Sequence, residues 1–131
     1  MMNRRSLLAT AFAVPAMLAL SRTSVRAETK FTLEALEAAQ KAGKSILVEV
    51  AAPWCPTCKA QQPIIEWLAK DAKFKDFVFF KLDFDNQKDE LRKLNARTQS
   101  TLIVFKGANE VGRSVGDTNP DTIEALLAKA L

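Results

Sequence analysis

A single pair of cysteines stands between two strongly patterned segments, and this junction constrains the fold more than any other feature of the sequence. Residues 46–50 (ILVEV) form a short, mostly β-branched run, which predicts a buried strand. A helix is predicted from about Cys55 to residue 72, because apolar residues recur there at the helical period. Pro63 interrupts that pattern and predicts a kink. Cys55 and Cys58 therefore lie between the end of a strand and the first turn of a helix.

The remaining segments alternate between the same two kinds of pattern. Helices are predicted over residues 32–41, over residues 88–94 and from Pro120 onward, and strands over residues 77–82, 101–105 and 111–115. A hairpin turn is predicted between the last two strands, at residues 106–110. The resulting order is helix, strand, helix, strand, helix, hairpin, helix, which predicts an α/β fold with helices on both faces of a sheet.

Residues 1–27 differ from the rest of the chain and have the layout of a secretory signal peptide. They begin with Asn3-Arg4-Arg5, continue with 14 uncharged residues (7–20) and end in small residues before Ala27. The uncharged run is shorter than the roughly 20 residues of a membrane-spanning helix. We therefore expect cleavage after Ala27, with residues 28–131 as a single mature domain. An uncleaved anchor or a disordered basic tail is the alternative.

The positive start of this leader also favours a particular export route. Arg4-Arg5 followed by Ser6-Leu7-Leu8 resembles a twin-arginine export signal, and further arginines precede the cleavage site. Ordinary export signals also begin with arginines, so the general route is the alternative. Either route leads to an oxidising compartment, in which disulfides persist. We expect a periplasmic protein.

The formal net charge of +4 belongs to the leader and not to the mature domain. All 15 acidic residues but only 15 of the 19 basic residues lie after residue 27, so the mature domain is formally neutral. Nucleic-acid binding needs a clustered basic excess, so no nucleic-acid partner is expected. The chain has no histidine, which removes the commonest general base near neutral pH and the commonest metal ligand.

The position of the two cysteines predicts redox chemistry. A thiol at a helix amino terminus meets unpaired N–H groups and the positive end of the helix dipole, which favour its thiolate form. Cys55 is therefore the expected nucleophile. Cys58 lies one turn later and is the expected resolving thiol, which attacks a mixed disulfide and releases the partner.

Three less reactive roles compete for the same cysteines. A structural disulfide is one, but closing a four-residue loop gains only about 2 kcal/mol. A zinc site is another, but it needs four ligands, and the chain offers one cysteine pair and no histidine. Two buried, inert cysteines are the third, which would be unusual at a junction that we expect to be exposed. Redox chemistry is the favoured interpretation.

The whole segment of residues 46–63, ILVEVAAPWCPTCKAQQP, resembles the thioredoxin family. It combines the apolar strand, an acid six residues before the first cysteine, Trp-Cys-x-x-Cys-Lys, and a proline five residues after the second cysteine. Residues 81–85, the hairpin from residue 101 to residue 111, and Val115-Gly116 extend the resemblance through nearly the whole mature chain. It implies a thioredoxin-like fold, a central mixed β-sheet flanked by helices, and protein-disulfide oxidoreductase activity without a bound cofactor.

The resemblance also implies roles for residues around the cysteines. Glu49 matches the family's buried acid, whose pKa is expected to be raised by desolvation and which would take the proton of Cys58. Lys81 matches a lysine near that acid, and its charge would lower the same pKa. A partly buried ion pair between Glu49 and Lys81 is the alternative. Trp54 would cover the site and contact a protein partner, or simply pack.

One departure from the family concerns the residue opposite the cysteines. The family has a cis-proline there, whereas this chain has Ser100. A cis peptide before a non-proline residue costs about 2.5–4 kcal/mol, so a trans peptide is expected. The serine hydroxyl would be free to hydrogen-bond a thiolate or a substrate, or the change is a neutral loop variant. The expected substrate-binding residues are Trp54, Gln99, Ser100, Thr101 and Gly116.

The favoured function is an exported thiol–disulfide oxidoreductase, with a reductant slightly favoured over an oxidant. Its expected partners are protein disulfides or dithiols and a recycling redox protein in the membrane, and the mature domain is expected to be a monomer. The alternative is a dimer that binds a metal or an iron–sulfur cluster through the same cysteines, permitted by Ser100. A third interpretation, a non-catalytic binding module, is disfavoured by the intact Cys55, Cys58, Glu49 and Lys81.

Overall fold

The structure, a computed structural model, describes residues 28–131, so the predicted signal peptide at residues 1–27 lies outside the described residues. Within that range, five strands and four helices follow one another along the chain. They are β1 (Thr29–Lys30), α1 (Leu33–Lys41), β2 (Ser45–Ala51), α2 (Pro56–Lys70), β3 (Val78–Asp83), α3 (Lys88–Lys93), β4 (Thr101–Lys106), β5 (Asn109–Val115) and α4 (Pro120–Ala128).

The strands form one mixed sheet in the order β1-β3-β2-β4-β5. β1, β3 and β2 run parallel to one another. β4 pairs antiparallel with the other side of β2, and β5 pairs antiparallel with β4. β2 is therefore central, and all of its residues except the first are buried. This topology confirms the predicted thioredoxin-like α/β fold.

Alternation along the strands divides the core into two layers. On one face, Leu47 of β2 packs with α2 and α4 in a cluster that includes Leu68 and Leu127. On the other face, Val48 of β2 packs with α1 and α3, in a cluster that includes Leu36 and Leu91. Residues at odd-numbered positions of β2 therefore face α2, and Glu49 is one of them.

Most predicted elements are confirmed to within a few residues, and the differences have local causes. The predicted second helix ends at Lys70, because Asp71 adopts an extended backbone and caps a separate 3-10 turn at Ala72–Phe74. The hairpin turn is shorter than predicted, since β5 already begins at Asn109. β1 was not predicted, because two exposed residues carry no periodic pattern. None of the helices in residues 28–131 is long and apolar enough to cross a membrane.

Candidate functional site

Cys55 and Cys58 form a disulfide at the start of α2, with their Cα atoms 5.3 Å apart. Cys55 is the residue that caps the helix, and its sulfur accepts a hydrogen bond of 3.1 Å from the N–H group of Cys58. Pro56 occupies the first helical position, where its lack of an N–H group costs nothing. The predicted placement of the first sulfur at a helix amino terminus is therefore confirmed.

The junction is more enclosed than the sequence predicts. Cys55 is 1% exposed and Cys58 4% exposed, and both pack with Ala51 and Ala52, which end and follow β2. The expectation of an exposed junction is thus wrong for the sulfur atoms themselves. The reason is that the loop before β4 folds over them and brings Ser100 into contact with both.

Ser100 fills the position opposite the disulfide. Its hydroxyl oxygen lies 3.1 Å from Sγ of Cys55 and 3.3 Å from Sγ of Cys58. Every peptide bond in the described residues is trans, and Ser100 has a φ of 63°, in the left-handed region that non-glycine residues seldom adopt. Its N–H group donates to the carbonyl of Val50 at 2.8 Å, and its carbonyl accepts from the N–H group of Gly116 at 3.0 Å. The backbone is held tightly with the hydroxyl against the sulfurs.

Glu49 occupies a core position on the face of β2 that α2 covers. It is 1% exposed, and neither carboxyl oxygen has a hydrogen-bond donor within the described residues. Burial and, next in size, the nearby Glu28 carboxylate raise the pKa of Glu49, the charge of Lys81 lowers it, and the net result is a pKa of about 8. A buried carboxyl group with such a pKa can both accept and release a proton near neutral pH.

Lys81 lies beside Glu49 in the sheet, because β2 and β3 pair these two residues in register. Its ammonium group donates to the side-chain oxygen of Gln62 at 2.8 Å and forms a 3.5 Å ion pair with Glu28. The alternative, a direct ion pair between Glu49 and Lys81, is not found within the described residues. Lys81 acts on Glu49 by its charge alone.

Trp54 stands at the rim of the site and is 54% exposed. Its indole N–H group donates to the carboxylate of Asp85, with the shorter distance 2.9 Å, and its ring meets the ring of Phe84 edge to face at 6.2 Å between centroids. The N–H group of Asp85 in turn donates to the Asp83 carboxylate at 2.9 Å. Trp54 is therefore fixed in orientation but leaves about half of its surface open for contact.

The other residues expected to bind substrate differ in their access to it. Gly116 is exposed at a φ of 72°, and Gln99 is partly buried beside Ser100. Thr101 is 2% exposed, and its hydroxyl donates to the carbonyl of Thr98 at 2.7 Å. The Thr101 side chain is buried and hydrogen-bonded within this turn, so it is not exposed for contact with a substrate.

Four polar residues that sequence reasoning missed complete the site. Gln61 is fully buried, and its amide donates to the carbonyls of Ser100 and Asp117. Gln62 and Glu28 surround Lys81, and Asp85 holds Trp54. The position of Asp85 near Trp54 could have been predicted, because β2 and β3 are parallel and the residues that follow both strands lie at the same edge of the sheet. The position of Glu28 could not, since it precedes a strand that was not predicted.

The arrangement suits dithiol chemistry. A sulfur at a helix amino terminus, a second sulfur one turn later, and a buried carboxyl group of raised pKa are groups that can act as a nucleophile, a resolving thiol and a proton acceptor. The part of the chain that the structure describes contains no cluster of three or more side chains suited to hold a metal ion.

Comparison with known proteins gives one consistent result. The thioredoxin family model matches residues 25–129. Thioredoxin-2 of Saccharomyces cerevisiae is 39% identical over 85 residues, which are 65% of this chain and 79% of that protein. The thioredoxin of Echinococcus granulosus is 36% identical over 97 residues, 74% of this chain and 89% of that protein. The crystal structure of Trxlp from Edwardsiella tarda EIB202 superposes with a TM-score of 0.75 at 36% identity, over 77% of this chain and 98% of that one.

Proposed function

This chain belongs to the thioredoxin family and is a protein-disulfide oxidoreductase, and on that premise we propose that it reduces disulfides of other exported proteins in the periplasm. One observation carries the proposal: Cys55 caps α2, Cys58 follows one turn later, and Glu49 is buried on the face of β2 that α2 covers. Protein disulfides are the substrates, and a reductase partner regenerates the dithiol. We propose that this partner is a membrane protein and that the mature domain acts as a monomer.

The reaction runs in two displacement steps. The thiolate of Cys55 attacks one sulfur of the substrate disulfide, forms a mixed disulfide and releases the other substrate sulfur as a thiolate. Glu49 then takes the proton of Cys58, and the Cys58 thiolate attacks the Cys55 sulfur. The second substrate thiolate leaves, the Cys55–Cys58 disulfide forms, and the two electrons of the dithiol now reside on the substrate.

The proposed direction of electron flow is from the dithiol of this domain to the substrate disulfide. Reductants and oxidants of this fold share the Cys-x-x-Cys motif, and the two residues between the cysteines, Pro56 and Thr57, tune the stability of the reduced form. The compact domain, which has no helical insertion between its described elements, supports the reductant. The Ser100 hydroxyl group, which lies within hydrogen-bond distance of both sulfurs, favours an oxidant instead, because it stabilises the thiolate of the reduced form.

The reduction potential of the mature domain tests this assignment. After equilibration with a thiol–disulfide buffer, we expect a two-electron midpoint near the roughly −270 mV of thioredoxin. A midpoint near the roughly −120 mV of a strong bacterial oxidant would instead assign disulfide donation. If no two-electron equilibrium appeared and the purified protein held metal or an iron–sulfur chromophore, the same cysteines would serve the alternative, a metal- or cluster-binding dimer.

The positive charge and the apolar run of residues 1–27 support the proposed export. We expect the periplasmic form to have the mass of residues 28–131. Replacing Arg4 and Arg5 by lysine should leave the protein uncleaved in the cytoplasm, because the twin-arginine pair is the recognised feature. The matched control replaces Arg22 and Arg26 by lysine and should be exported. Export of both variants alike would contradict the twin-arginine route.

A further inference from the structure

Three buried carboxyl oxygens on the α2 side of the sheet have no hydrogen-bond donor within the described residues. They are both oxygens of Glu49 and Oε1 of Glu28. The two side chains are close enough to hydrogen-bond to each other, yet two ionised carboxylates have only acceptor atoms. A single proton held between them gives both groups a partner. The geometry therefore favours a carboxyl pair that carries one proton.

The fold explains why Glu28 reaches this position. Lys30 of β1 pairs with Lys81 of β3, and Lys81 pairs with Glu49 of β2, so the three residues lie in one row across parallel strands. Glu28 is two residues before Lys30 and on the same face, which α2 covers. Its Oε2 is held at 3.5 Å by the Lys81 ammonium and at 3.5 Å by the Gln62 amide.

Only one carboxyl of the pair reaches solvent. Glu49 is 1% exposed, whereas the Glu28 side chain is 21% exposed and lines a cleft of about 720 Å³. Cys58, Gln62 and Glu66 line the same cleft. These three residues recur every fourth position along α2, so they form one row from the resolving cysteine to the mouth of the cleft.

We propose that Glu28 is a positioning residue for the reaction, whose carboxyl group shares one proton with Glu49 and passes it between Glu49 and the water of the cleft. When Glu49 accepts the proton of Cys58, the pair gains a proton that Glu28 delivers to solvent. The same path returns a proton to Cys58 when the disulfide is reduced. This inference rests on the proposed function for its use, but not for the existence of the carboxyl pair.

The groups that face Glu49 define how the pair titrates. Glu28 precedes β1, Lys81 lies on β3, and Glu66 and Cys58 lie on α2. Glu28 opposes ionisation of Glu49 more strongly than Glu66 does, and Lys81 favours it. Removing the charge of Glu28 therefore leaves Lys81 as the dominant charged neighbour of Glu49.

The test compares Glu28→Gln with the control variant Glu34→Gln. The control removes an exposed carboxylate in the first turn of α1, so both variants change the net charge by the same amount. Carboxyl carbon NMR of the oxidised domain (residues 28–131, which contain every described element) would follow the titration of Glu49. We expect Glu28→Gln to move its midpoint to lower pH by about one unit, since a like charge is lost. Glu34→Gln should leave it unchanged, and Glu28→Asp should retain part of the shift.

Kinetics supply the second readout. The pH profile of kcat/KM for disulfide reduction should move to lower pH in Glu28→Gln by the same interval, while Glu34→Gln follows the wild type. An unmoved Glu49 midpoint in Glu28→Gln would overturn the carboxyl pair. A moved midpoint with an unmoved kinetic profile would overturn its role in proton transfer. A protein without disulfide reductase activity but with a moved midpoint would refute the proposed function and keep the pair.

Discussion

Ser100 sets the immediate surroundings of both sulfur atoms. Its left-handed backbone costs about 1–3 kcal/mol, and three hydrogen bonds hold it in this conformation. The Ser100 N–H group donates to the carbonyl of Val50, and the Ser100 carbonyl accepts from the N–H group of Gly116 and from the side-chain amide of Gln61. The result is a hydroxyl group within 3.3 Å of each sulfur. A disulfide sulfur is a weak acceptor, whereas a thiolate is a strong one, so this contact is worth more in the reduced protein.

Replacing Ser100 by alanine is therefore expected to make the protein more reducing. A hydrogen bond to a charged group contributes about 1.5–3 kcal/mol, which corresponds to a fall in the reduction potential of about 30–60 mV. The measurement is equilibration of Ser100→Ala in a thiol–disulfide buffer. Ser114→Ala on β5 is the control, because it removes a hydroxyl group that has no partner within the described residues. A potential that stays constant or rises would contradict the role of this hydroxyl.

Glu49 is expected to make stability depend on pH. Its pKa is about 8 in the folded protein and near 4.5 in the unfolded chain, so the folded state binds the extra proton between these values. The stabilisation is complete below about pH 4.5 and is lost as pH rises through about 8. Each unit of pKa difference is worth about 1.4 kcal/mol, so a loss of several kcal/mol is expected.

Denaturant unfolding of the oxidised protein at several pH values measures this dependence without titration of the thiols. The free energy of unfolding of the wild type should fall between pH 5 and pH 9, and Glu49→Gln should flatten the curve. If Glu49→Gln kept the wild-type slope, the buried acid would not be the group that titrates.

At the scale of secondary-structure elements, α2 organises the site. Its first turn holds the cysteines, and its inward face then presents Gln61 to the loops and Gln62 to the charged row of the sheet. Gln61 donates to the carbonyls of Ser100 and Asp117, at 3.2 Å and 2.8 Å. One buried side chain thus connects the helix to both loops that border the disulfide.

Replacing Gln61 by methionine keeps the volume but removes both hydrogen bonds. The buried carbonyl of Ser100 and the partly buried carbonyl of Asp117 each lose a donor, and the expected cost is about 1–3 kcal/mol of unfolding free energy. Denaturant unfolding measures it, with Gln40→Met on α1 as control, because the Gln40 side chain makes no hydrogen bond within the described residues. An equal cost for both variants would show that the loops do not depend on Gln61.

The elements differ in how far the sequence predicts them. The five-residue apolar run of β2 and the helical period of α2 predict both elements and place the cysteines between them, because burial imposes a strong pattern. β1 has two exposed residues and is held by pairing with β3, which leaves no local pattern. The roles of Glu28 and Gln62 were not predicted either, because both residues contact Lys81, which is distant from them in sequence.

At the scale of the whole molecule, the fold brings the ends of several elements to one edge of the sheet. β2 and β3 end there, α2 begins there, and the turn before β4 closes over the sulfurs. The two helical layers bury the sheet on both faces, so Glu49 can be enclosed on the α2 side within a domain of this size. Trp54 and Gly116 are exposed at the rim of the site, where we propose that substrate proteins approach.

The capture of a mixed disulfide tests the central claim most directly. The reduced Cys58→Ser variant, mixed with a folded protein that has an exposed disulfide, should accumulate a covalent adduct that peptide mapping assigns to Cys55. The Cys55→Ser variant, which keeps the other thiol, should form none. An adduct that is absent in Cys58→Ser, or equally abundant in Cys55→Ser, would contradict thiol–disulfide exchange through a nucleophilic Cys55.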